Sequence, residues 1–280
     1  MNFWLKKRPI GTRAQSAAAG CDKICAHQPP RFTSDSGIDM HQLLDKLLFN
    51  RATLPLRPFY RRYPFRAEVS MRSANDRGMV DMELGFFYNR IPKAANSTMV
   101  TNLVRLKLGY DLPSRQAKRT FPHPGRLGTT DMSRFPGLFK FTVVRNPYTR
   151  VLSAYLDKIA RFPERPGNNI TFDEFVQKLS DNRQFLYSNA HWVPQADLLL
   201  VPAAELDFIG KVESLDSDLD EIKRRLQPDN RDQITTAGPP PTGASRKLRR
   251  YYSNERLVDQ VARIYRADFE TFQYSPEFPA

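Results

Sequence analysis

From about residue 82 onward, short apolar runs alternate with segments of helical periodicity. The runs at residues 84–88, 139–144 and 207–212 have the composition of buried strands. Three helices are predicted to begin near Asn96, near Pro147 and at the capping box of residues 171–174. Two further helices are predicted to cover residues 216–226 and 254–272. Strands that alternate with helices predict an α/β fold, in which helices cover both faces of a parallel sheet.

The chain ahead of this alternation is polar and basic. We expect residues 1–35 to form a flexible basic tail. Residues 36–83 are interpreted as an N-terminal extension packed on or near the core, with a helix over residues 40–49 that Asp39 caps. Residues 57–66 interleave cations, aromatic residues and prolines, which fits a nucleic-acid or acidic-glycan contact and equally a loop with aromatic anchors. The main domain is assigned to residues 84–280.

The charge of the chain points to an anionic partner. The 280 residues carry a formal net charge of +13 at pH 7, as in proteins that bind nucleic acids, membrane surfaces or phosphate- and sulfate-bearing ligands. Two cysteines, Cys21 and Cys25, exclude a disulfide framework and are expected to be reduced thiols. No apolar run of about 18 residues occurs, so we expect a soluble, cytoplasmic protein without a transmembrane segment, and peripheral membrane contact stays open.

The first of two candidate anion sites is the sequence R-I-P-K-A-A-N-S-T at residues 90–98, called the first motif below. It lies where a predicted strand ends and a helix begins, and a helix N-terminus attracts anions through its unpaired N–H groups and its dipole. Lys93 adds a full charge, while Ser97 and Thr98 add hydroxyl donors. The motif lacks the two glycines of a Walker A loop. An ordinary capped helix with a surface lysine is the alternative interpretation.

The second candidate site is V-V-R-N-P-Y-T-R-V-L-S-A-Y at residues 143–155, the second motif. Asn146 is a suitable N-cap and Pro147 a suitable first helical residue. Helical side chains lean toward the N-terminus, so Ser153 is predicted to point back at the turn that carries Arg145, where both can meet one anion. An arginine-capped helix is the alternative. Two such sites in one α/β domain suit a ligand with two separated anionic groups.

Taken together, these residues resemble the sulfotransferases that use 3′-phosphoadenosine 5′-phosphosulfate (PAPS), above all the Golgi carbohydrate sulfotransferases of the chondroitin, dermatan and HNK-1 type and their bacterial relatives. Residues 92–98 match the P-K-x-x-x-[ST] loop that holds the 5′-phosphosulfate in that family, and residues 145–155 match its 3′-phosphate motif, R-x-P-x-x-R-x-x-S-x-Y. The resemblance covers about residues 84–274, with further similar segments at residues 191–195, 207–213 and 265–269. The membrane anchor and the cysteines of the Golgi members have no counterpart, which implies a soluble, bacterial-type enzyme.

The resemblance also implies a P-loop-NTPase-like three-layer fold, in which a central parallel β-sheet is flanked by helices. PAPS is the implied co-substrate, and no metal is required. Lys93 is the implied catalytic cation, and His191 or His123 is the candidate general base for the acceptor. The residues expected to bind PAPS are Arg90, Lys93, Ala94, Ala95, Asn96, Ser97, Thr98, Arg145, Arg150, Ser153 and Lys247.

The function that the sequence supports is transfer of a sulfuryl group from PAPS to a hydroxyl or amine of an acceptor, expected to be a carbohydrate or glycolipid. A nucleotide kinase would need a Walker A loop and a metal-binding acid, and a sequence-specific nucleic-acid-binding protein would need a recognition module; the sequence shows none of these. A non-catalytic protein that binds an anionic glycan or a nucleic acid on the same fold stays open as the alternative.

Overall fold

The structure is a computed structural model that describes residues 52–227 and 242–279. The expected basic tail, the helix over residues 40–49 and both cysteines lie outside the described residues. The strands are β1 Gly78–Asp81, β2 Phe86–Asn89, β3 Phe139–Val144 and β4 Phe208–Lys211. The helices are α1 Pro58–Arg62, α2 Met71–Asn75, α3 Asn96–Leu108, α4 Ser114–Ala117, α5 Thr129–Arg134, α6 Pro147–Lys158, α7 Phe172–Asp181, α8 Arg183–Tyr187, α9 Leu215–Leu226, α10 Ala244–Tyr251, α11 Glu255–Ile264 and α12 Arg266–Phe272. Turns of 3₁₀ helix cover Leu54–Leu56, Pro124–Arg126, Phe135–Gly137, Ala196–Leu198, Ala203–Glu205 and Val212–Ser214.

The four described strands form one sheet in the order β1-β2-β3-β4. Strands β2, β3 and β4 are parallel, as predicted, with Tyr88 opposite Phe141 and Val143 opposite Gly210. Strand β1 pairs antiparallel with β2 and was not predicted, because its four residues are too short to show an alternating pattern. The carboxyl ends of β2 and β3 meet at one edge of the sheet, so both motifs begin there.

Helices pack on both faces of this sheet, which confirms the expected α/β architecture of helices around a central, mostly parallel sheet. On one face, Tyr88 and Phe141 are buried against Leu103 of α3 and Ile222 of α9. On the other face, a second apolar cluster joins Phe87 of β2 to Leu54 and Phe59 of the N-terminal segment, and to Phe135 and Leu200. Alternate residues of β2 therefore point into different layers.

The aromatic-basic segment at residues 57–66 forms helix α1 and contributes to the core. Phe59, Tyr60 and Tyr63 are buried, and Phe59 packs edge-on against Phe135. The aromatic side chains are thus anchors of the fold, while Arg61 of the same helix is exposed.

Residues 109–137, which lie between the two motifs, contain α4, α5 and two 3₁₀ turns, and they bury Phe121 and Leu127. One sequence prediction about helices needs correction. The single helix expected over residues 254–272 is two helices that meet at Tyr265 (φ −106°, ψ 22°). The chain turns there because the buried Tyr265 hydroxyl donates a hydrogen bond to the Trp192 carbonyl at 2.5 Å.

The described helices are also short. The longest, α3, has 13 residues, and among the residues that the structure describes no helix combines the length and the apolar character needed to span a membrane.

Candidate functional site

The first motif turns sharply between β2 and α3. Lys93 and Ala95 both adopt positive φ angles, 67° and 48°, which is a strained conformation for residues other than glycine. Helix α3 begins at Asn96, and no side chain caps it. The Asn96 side-chain oxygen is buried without a hydrogen-bond partner. The first N–H groups of α3 are therefore not satisfied by a side-chain cap, and N–H groups at a helix N-terminus attract anions.

The Lys93 side chain lies under this turn and is largely buried, with 14% of it exposed. Its ammonium group is 3.1 Å from the Asp157 carboxylate on α6. Burial lowers the pKa of Lys93, and the nearby cations Lys158 and Arg145 lower it further, while Asp157 raises it. No sequence pattern pointed to Asp157, because the pair forms only when α6 packs beside the first motif.

The second motif has the local structure that the sequence predicted. The Asn146 side chain accepts a hydrogen bond from the Tyr148 N–H at 3.0 Å, and Pro147 is the first residue of α6. Arg145 precedes this cap, and its guanidinium donates to three groups: Thr149 Oγ1 at 2.9 Å, the Lys93 carbonyl at 3.4 Å and Ser245 Oγ at 3.3 Å. One arginine thus connects both motifs and α10.

Ser153 faces the same C-terminal segment as Arg145. Its hydroxyl is 3.0 Å from the hydroxyl of Thr242, and Arg145 reaches Ser245, so both residues of the second motif converge on residues 242–245. Gly243 lies between the two hydroxyl residues with φ 66°, a conformation that favours glycine. Lys247, the cation that the sequence suggested here, is exposed on α10. The hydroxyls of Thr242 and Ser245 were not predicted, because the segment T-G-A-S contains no charged residue that would indicate an anion site.

Arg150 lies beneath the site, with only 1% of its surface exposed. Its guanidinium donates to three carbonyls, those of Pro92 at 3.1 Å, Val193 at 2.8 Å and Ala190 at 3.1 Å. Burial lowers its pKa, and the buried carboxylate of Asp268 opposes that effect. The structure therefore places Arg150 as a link between the first motif and residues 190–193, with its N–H groups directed at the main chain.

Residues from three further segments hold the backbone of the second motif. Gln195 Oε1 accepts from the Arg145 N–H at 3.0 Å, and its Nε2 donates to the Arg145 carbonyl at 2.8 Å. Glu213 accepts from the Asn146 N–H at 2.9 Å. Asp268 accepts from the Ala196 N–H at 2.8 Å and pairs with Gln195 at 3.3 Å. The segments at residues 191–195, 207–213 and 265–269 thus act on the site through the main chain.

Two histidines flank the site in the same tautomeric state. His191 Nδ1 lies 2.7 Å from the Asn189 side-chain oxygen, and His123 Nδ1 lies 2.9 Å from the Gly78 carbonyl. Both oxygens only accept hydrogen bonds, so Nδ1 carries the proton in each ring and Nε2 keeps its lone pair. Burial lowers the pKa of His191 to about 3, with the charges of Lys158 and Lys93 contributing next. Burial also lowers the pKa of His123.

A second group of cations, called the cationic wall below, consists of Arg77, Arg90 and Lys118. Arg90 donates to the Asp76 carbonyl, and the Nε atoms of Arg77 and Arg90 are buried without partners. Burial lowers the pKa of Arg77 to about 10, and the charge of Arg90 contributes next. Burial, Arg90 and Lys158 lower the pKa of Lys118. In the described part of the chain, none of the three forms an ion pair with a carboxylate.

Within residues 52–227 and 242–279, no cluster of three or more His, Cys, Asp or Glu side chains could hold a metal ion.

Comparison with known proteins places these motifs in a family context. A family model described as "Sulfotransferase family" matches residues 76–275. Carbohydrate sulfotransferase 14 of Danio rerio is 28% identical over 189 residues, which cover 53% of this chain and 47% of that protein. Carbohydrate sulfotransferase 10 of Mus musculus is 27% identical over 176 residues, covering 52% and 49%. Carbohydrate sulfotransferase 8 of Mus musculus is 27% identical over 197 residues, covering 58% and 47%. The matches span about half the length of these relatives, and no solved structure matched significantly.

Proposed function

The chain belongs to the sulfotransferase family, and from this premise we propose that it transfers the sulfuryl group of PAPS to a hydroxyl group of a carbohydrate acceptor. One observation carries the proposal: Arg145 contacts the Lys93 carbonyl at 3.4 Å, so the two anion-binding motifs lie side by side at one edge of the sheet. A donor with a 5′-phosphosulfate and a 3′-phosphate requires two anion sites at such close range.

The first motif suits the 5′-phosphosulfate. The uncapped start of α3 offers N–H groups and a positive dipole end, and Ser97 and Thr98 add hydroxyls in its first turn. Lys93 supplies the mobile positive charge for the sulfuryl oxygens and the leaving phosphate. Charge stabilisation by preorganised donors is usually the largest contribution of an enzyme to transfer reactions of this kind.

The second motif suits the 3′-phosphate. Arg145 supplies a guanidinium, whose fork geometry matches phosphate oxygens. Ser153, Thr242 and Ser245 bring three hydroxyls to the same place. A site of this composition would distinguish PAPS from nucleotides that lack the 3′-phosphate, because their binding would leave the half-buried guanidinium of Arg145 without its anion.

The proposed chemistry is an in-line displacement at sulfur. The acceptor oxygen forms a bond to sulfur, the bond between sulfur and the phosphate oxygen breaks, and adenosine 3′,5′-bisphosphate leaves. His191 Nε2 takes the proton of the acceptor hydroxyl. Burial, and next the charges of Lys158 and Lys93, lower the pKa of His191 to about 3 in the absence of the donor. The negative charges of the bound donor would raise this pKa toward the range where a histidine is an effective base. His123 is the second candidate for this role.

The cationic wall supports an acceptor that carries acidic groups. The charge of Asp76 offsets part of the unfavourable environment of Arg77 and Arg90, and an anionic ligand would relieve the repulsion that remains among the three cations. The matched relatives are named carbohydrate sulfotransferases, which supports a carbohydrate as the chemical class. We therefore place an acidic glycan, free or linked to a lipid, first among the acceptors to be tried.

Transfer from radiolabelled PAPS to a panel of acidic glycans, neutral oligosaccharides and glycolipids tests the proposal. We expect label in an acidic glycan, and a rate about 10²- to 10³-fold lower for Lys93→Ala. Lys223→Ala, which replaces a partly exposed lysine on α9, serves as the control and should keep the wild-type rate. A wild-type protein that binds glycans or nucleic acid without transferring label to any acceptor would replace the enzyme with the non-catalytic alternative.

A further inference from the structure

Asp157 brings a negative charge into a site built for anions. It lies on α6 four residues after Ser153, so both side chains are on the same face of the helix. Its carboxylate is 3.1 Å from the Lys93 ammonium and 3.0 Å from that of Lys158, and Arg161 is 3.9 Å away. A carboxylate at this place weakens the attraction for an anionic ligand. The Asp157 carboxylate therefore has a role other than binding the donor.

The backbone on both sides of Lys93 is already fixed. Arg150 donates to the carbonyl of Pro92, and Arg145 donates to the carbonyl of Lys93 itself. Lys93 is held at a positive φ of 67°. The remaining freedom is that of the four-carbon side chain, and Asp157 is the group that fixes its end.

The charges around the Lys93 ammonium also require compensation. Lys158 and Arg145 face it, burial disfavours its charged form, and the Asp157 carboxylate opposes these effects. Conversely, Lys158 and Lys93 lower the pKa of Asp157 against the effect of its burial, so the carboxylate is ionised at neutral pH. His191 is a further neighbour, and it is neutral.

We propose that Asp157 is a positioning residue for Lys93, which it holds at the sulfuryl end of the donor site in the charged form that the reaction needs. The proposal rests on the function proposed above. Without Asp157, the ammonium would keep its cationic neighbours and lose its carboxylate. The ammonium would then be held less firmly in its orientation, and it would lose its proton at a lower pH.

Two substitutions in the same ion cluster give opposite predictions for the pH dependence of kcat. The alkaline limb of the profile is the fall in kcat at high pH that follows loss of the Lys93 proton. Asp157→Asn removes the compensating charge, so this limb should move to lower pH by about 1–3 units. Lys158→Met removes a competing cation, so the same limb should move to higher pH. Asp157→Glu retains the charge and should restore much of the wild-type profile, and Asp220→Asn, an exposed substitution on α9, is the control for a lost negative charge.

Binding of adenosine 3′,5′-bisphosphate supplies a second readout. Asp157→Asn should bind this nucleotide at least as tightly as wild type, because an opposing charge is gone, while its kcat at pH 8 falls roughly 10-fold or more. A merely structural role would weaken binding and leave the alkaline limb in place. An alkaline limb of the kcat profile that stays at the wild-type pH in both Asp157→Asn and Lys158→Met would overturn the proposal. If Asp157→Asn does not fold, Lys158→Met alone decides by the direction of its shift.

The protonation of Lys93 can also be followed without any turnover. Carbon-13 NMR of the reductively methylated protein reports lysine pKa values, and Lys93→Arg assigns the signal. We expect Asp157→Asn to lower the pKa of Lys93 and Lys158→Met to raise it. An inactive wild-type protein with these two shifts would contradict the proposed function and leave the ion pair established. An active wild-type protein without them would contradict the role of Asp157 alone.

Discussion

Arg150 is the side chain whose removal should most directly loosen the candidate site. It is buried on α6 and donates to the carbonyls of Pro92, Ala190 and Val193, which belong to two separate loops. Substitution by methionine keeps much of the volume and the unbranched shape of the side chain while it removes every donor. The three carbonyls are then left in a buried space without their partner.

The expected loss of stability follows from this arrangement. Hydrogen bonds to a charged group contribute about 1.5–3 kcal/mol each, and the desolvation of the buried cation offsets part of their sum. Removal of one partner from a buried charged network costs about 3–5 kcal/mol, because the remaining groups stay unsatisfied. We therefore expect Arg150→Met to lower the free energy of unfolding by about 3–5 kcal/mol.

Urea unfolding followed by circular dichroism measures this difference. With a denaturant slope of about 3 kcal/mol per M, at the upper end of the usual range because the slope increases with protein size, the midpoint should fall by roughly 1–2 M. Arg249→Met, an exposed substitution on α10, is the matched control and should leave the midpoint within about 0.5 M of wild type. Because Pro92 precedes Lys93, nucleotide binding should weaken together with stability in the Arg150 variant.

A loss below about 1 kcal/mol in Arg150→Met would refute this reasoning. It would mean that the three carbonyls find other partners and that the two loops are held elsewhere. Unchanged nucleotide affinity in a variant that is clearly destabilised would refute the narrower claim that Arg150 shapes the first motif.

Three further predictions concern the chemistry, the binding site and the pH dependence of stability. His191→Ala should lower kcat about 10²- to 10⁴-fold without weakening nucleotide binding, whereas His123→Ala should have a clearly smaller effect on kcat; the reverse order in a steady-state assay would exchange their roles. Ser245→Ala and Thr242→Ala should each weaken binding of adenosine 3′,5′-bisphosphate roughly 2- to 10-fold in calorimetry, as expected for neutral hydrogen bonds, and unchanged affinity in both would remove residues 242–245 from the site. Burial raises the pKa of Asp268 above 3.8, so the folded state keeps this proton to higher pH than the unfolded state. The free energy of unfolding should therefore fall as the pH rises from 3.8 through the raised pKa. Urea titrations at several pH values should show a weaker fall for Asp268→Asn than for the wild type.

The local structure of both motifs could be predicted from the sequence, because it follows from neighbouring residues. A strand that ends at Val144, an asparagine cap and a proline at the first helical position are short-range signals, and all three are confirmed. The start of α3 at Asn96 is confirmed in the same way.

The partners of these motifs could not be predicted, because they depend on tertiary packing. The resemblance implied that Arg150 binds PAPS, and only the folded chain shows that its guanidinium donates to the carbonyls of two loops. The pairing of Lys93 with Asp157 likewise joins residues 64 positions apart (157 − 93). The roles of the individual site residues and the cytoplasmic location stay predictions.

The helix break at Tyr265 illustrates the same limit. An amphipathic pattern continues through residues 254–272, so local rules favour one helix. The buried hydrogen bond from Tyr265 to the Trp192 carbonyl overrides that preference. It also brings Asp268 to the N–H of Ala196, beside the glutamine that holds Arg145.

The central claim is that the two motifs form one donor site that recognises a 3′-phosphate. Calorimetric titration of the full chain with adenosine 3′,5′-bisphosphate, with AMP as the nucleotide that lacks only the 3′-phosphate, tests this most directly. The account predicts tight binding of the bisphosphate, much weaker binding of AMP, and a loss of about 10- to 100-fold for the bisphosphate in Arg145→Ala, because charged hydrogen bonds are worth about 1.5–3 kcal/mol. Equal affinity for the two nucleotides, or a bisphosphate affinity that Arg145→Ala leaves unchanged, would contradict it.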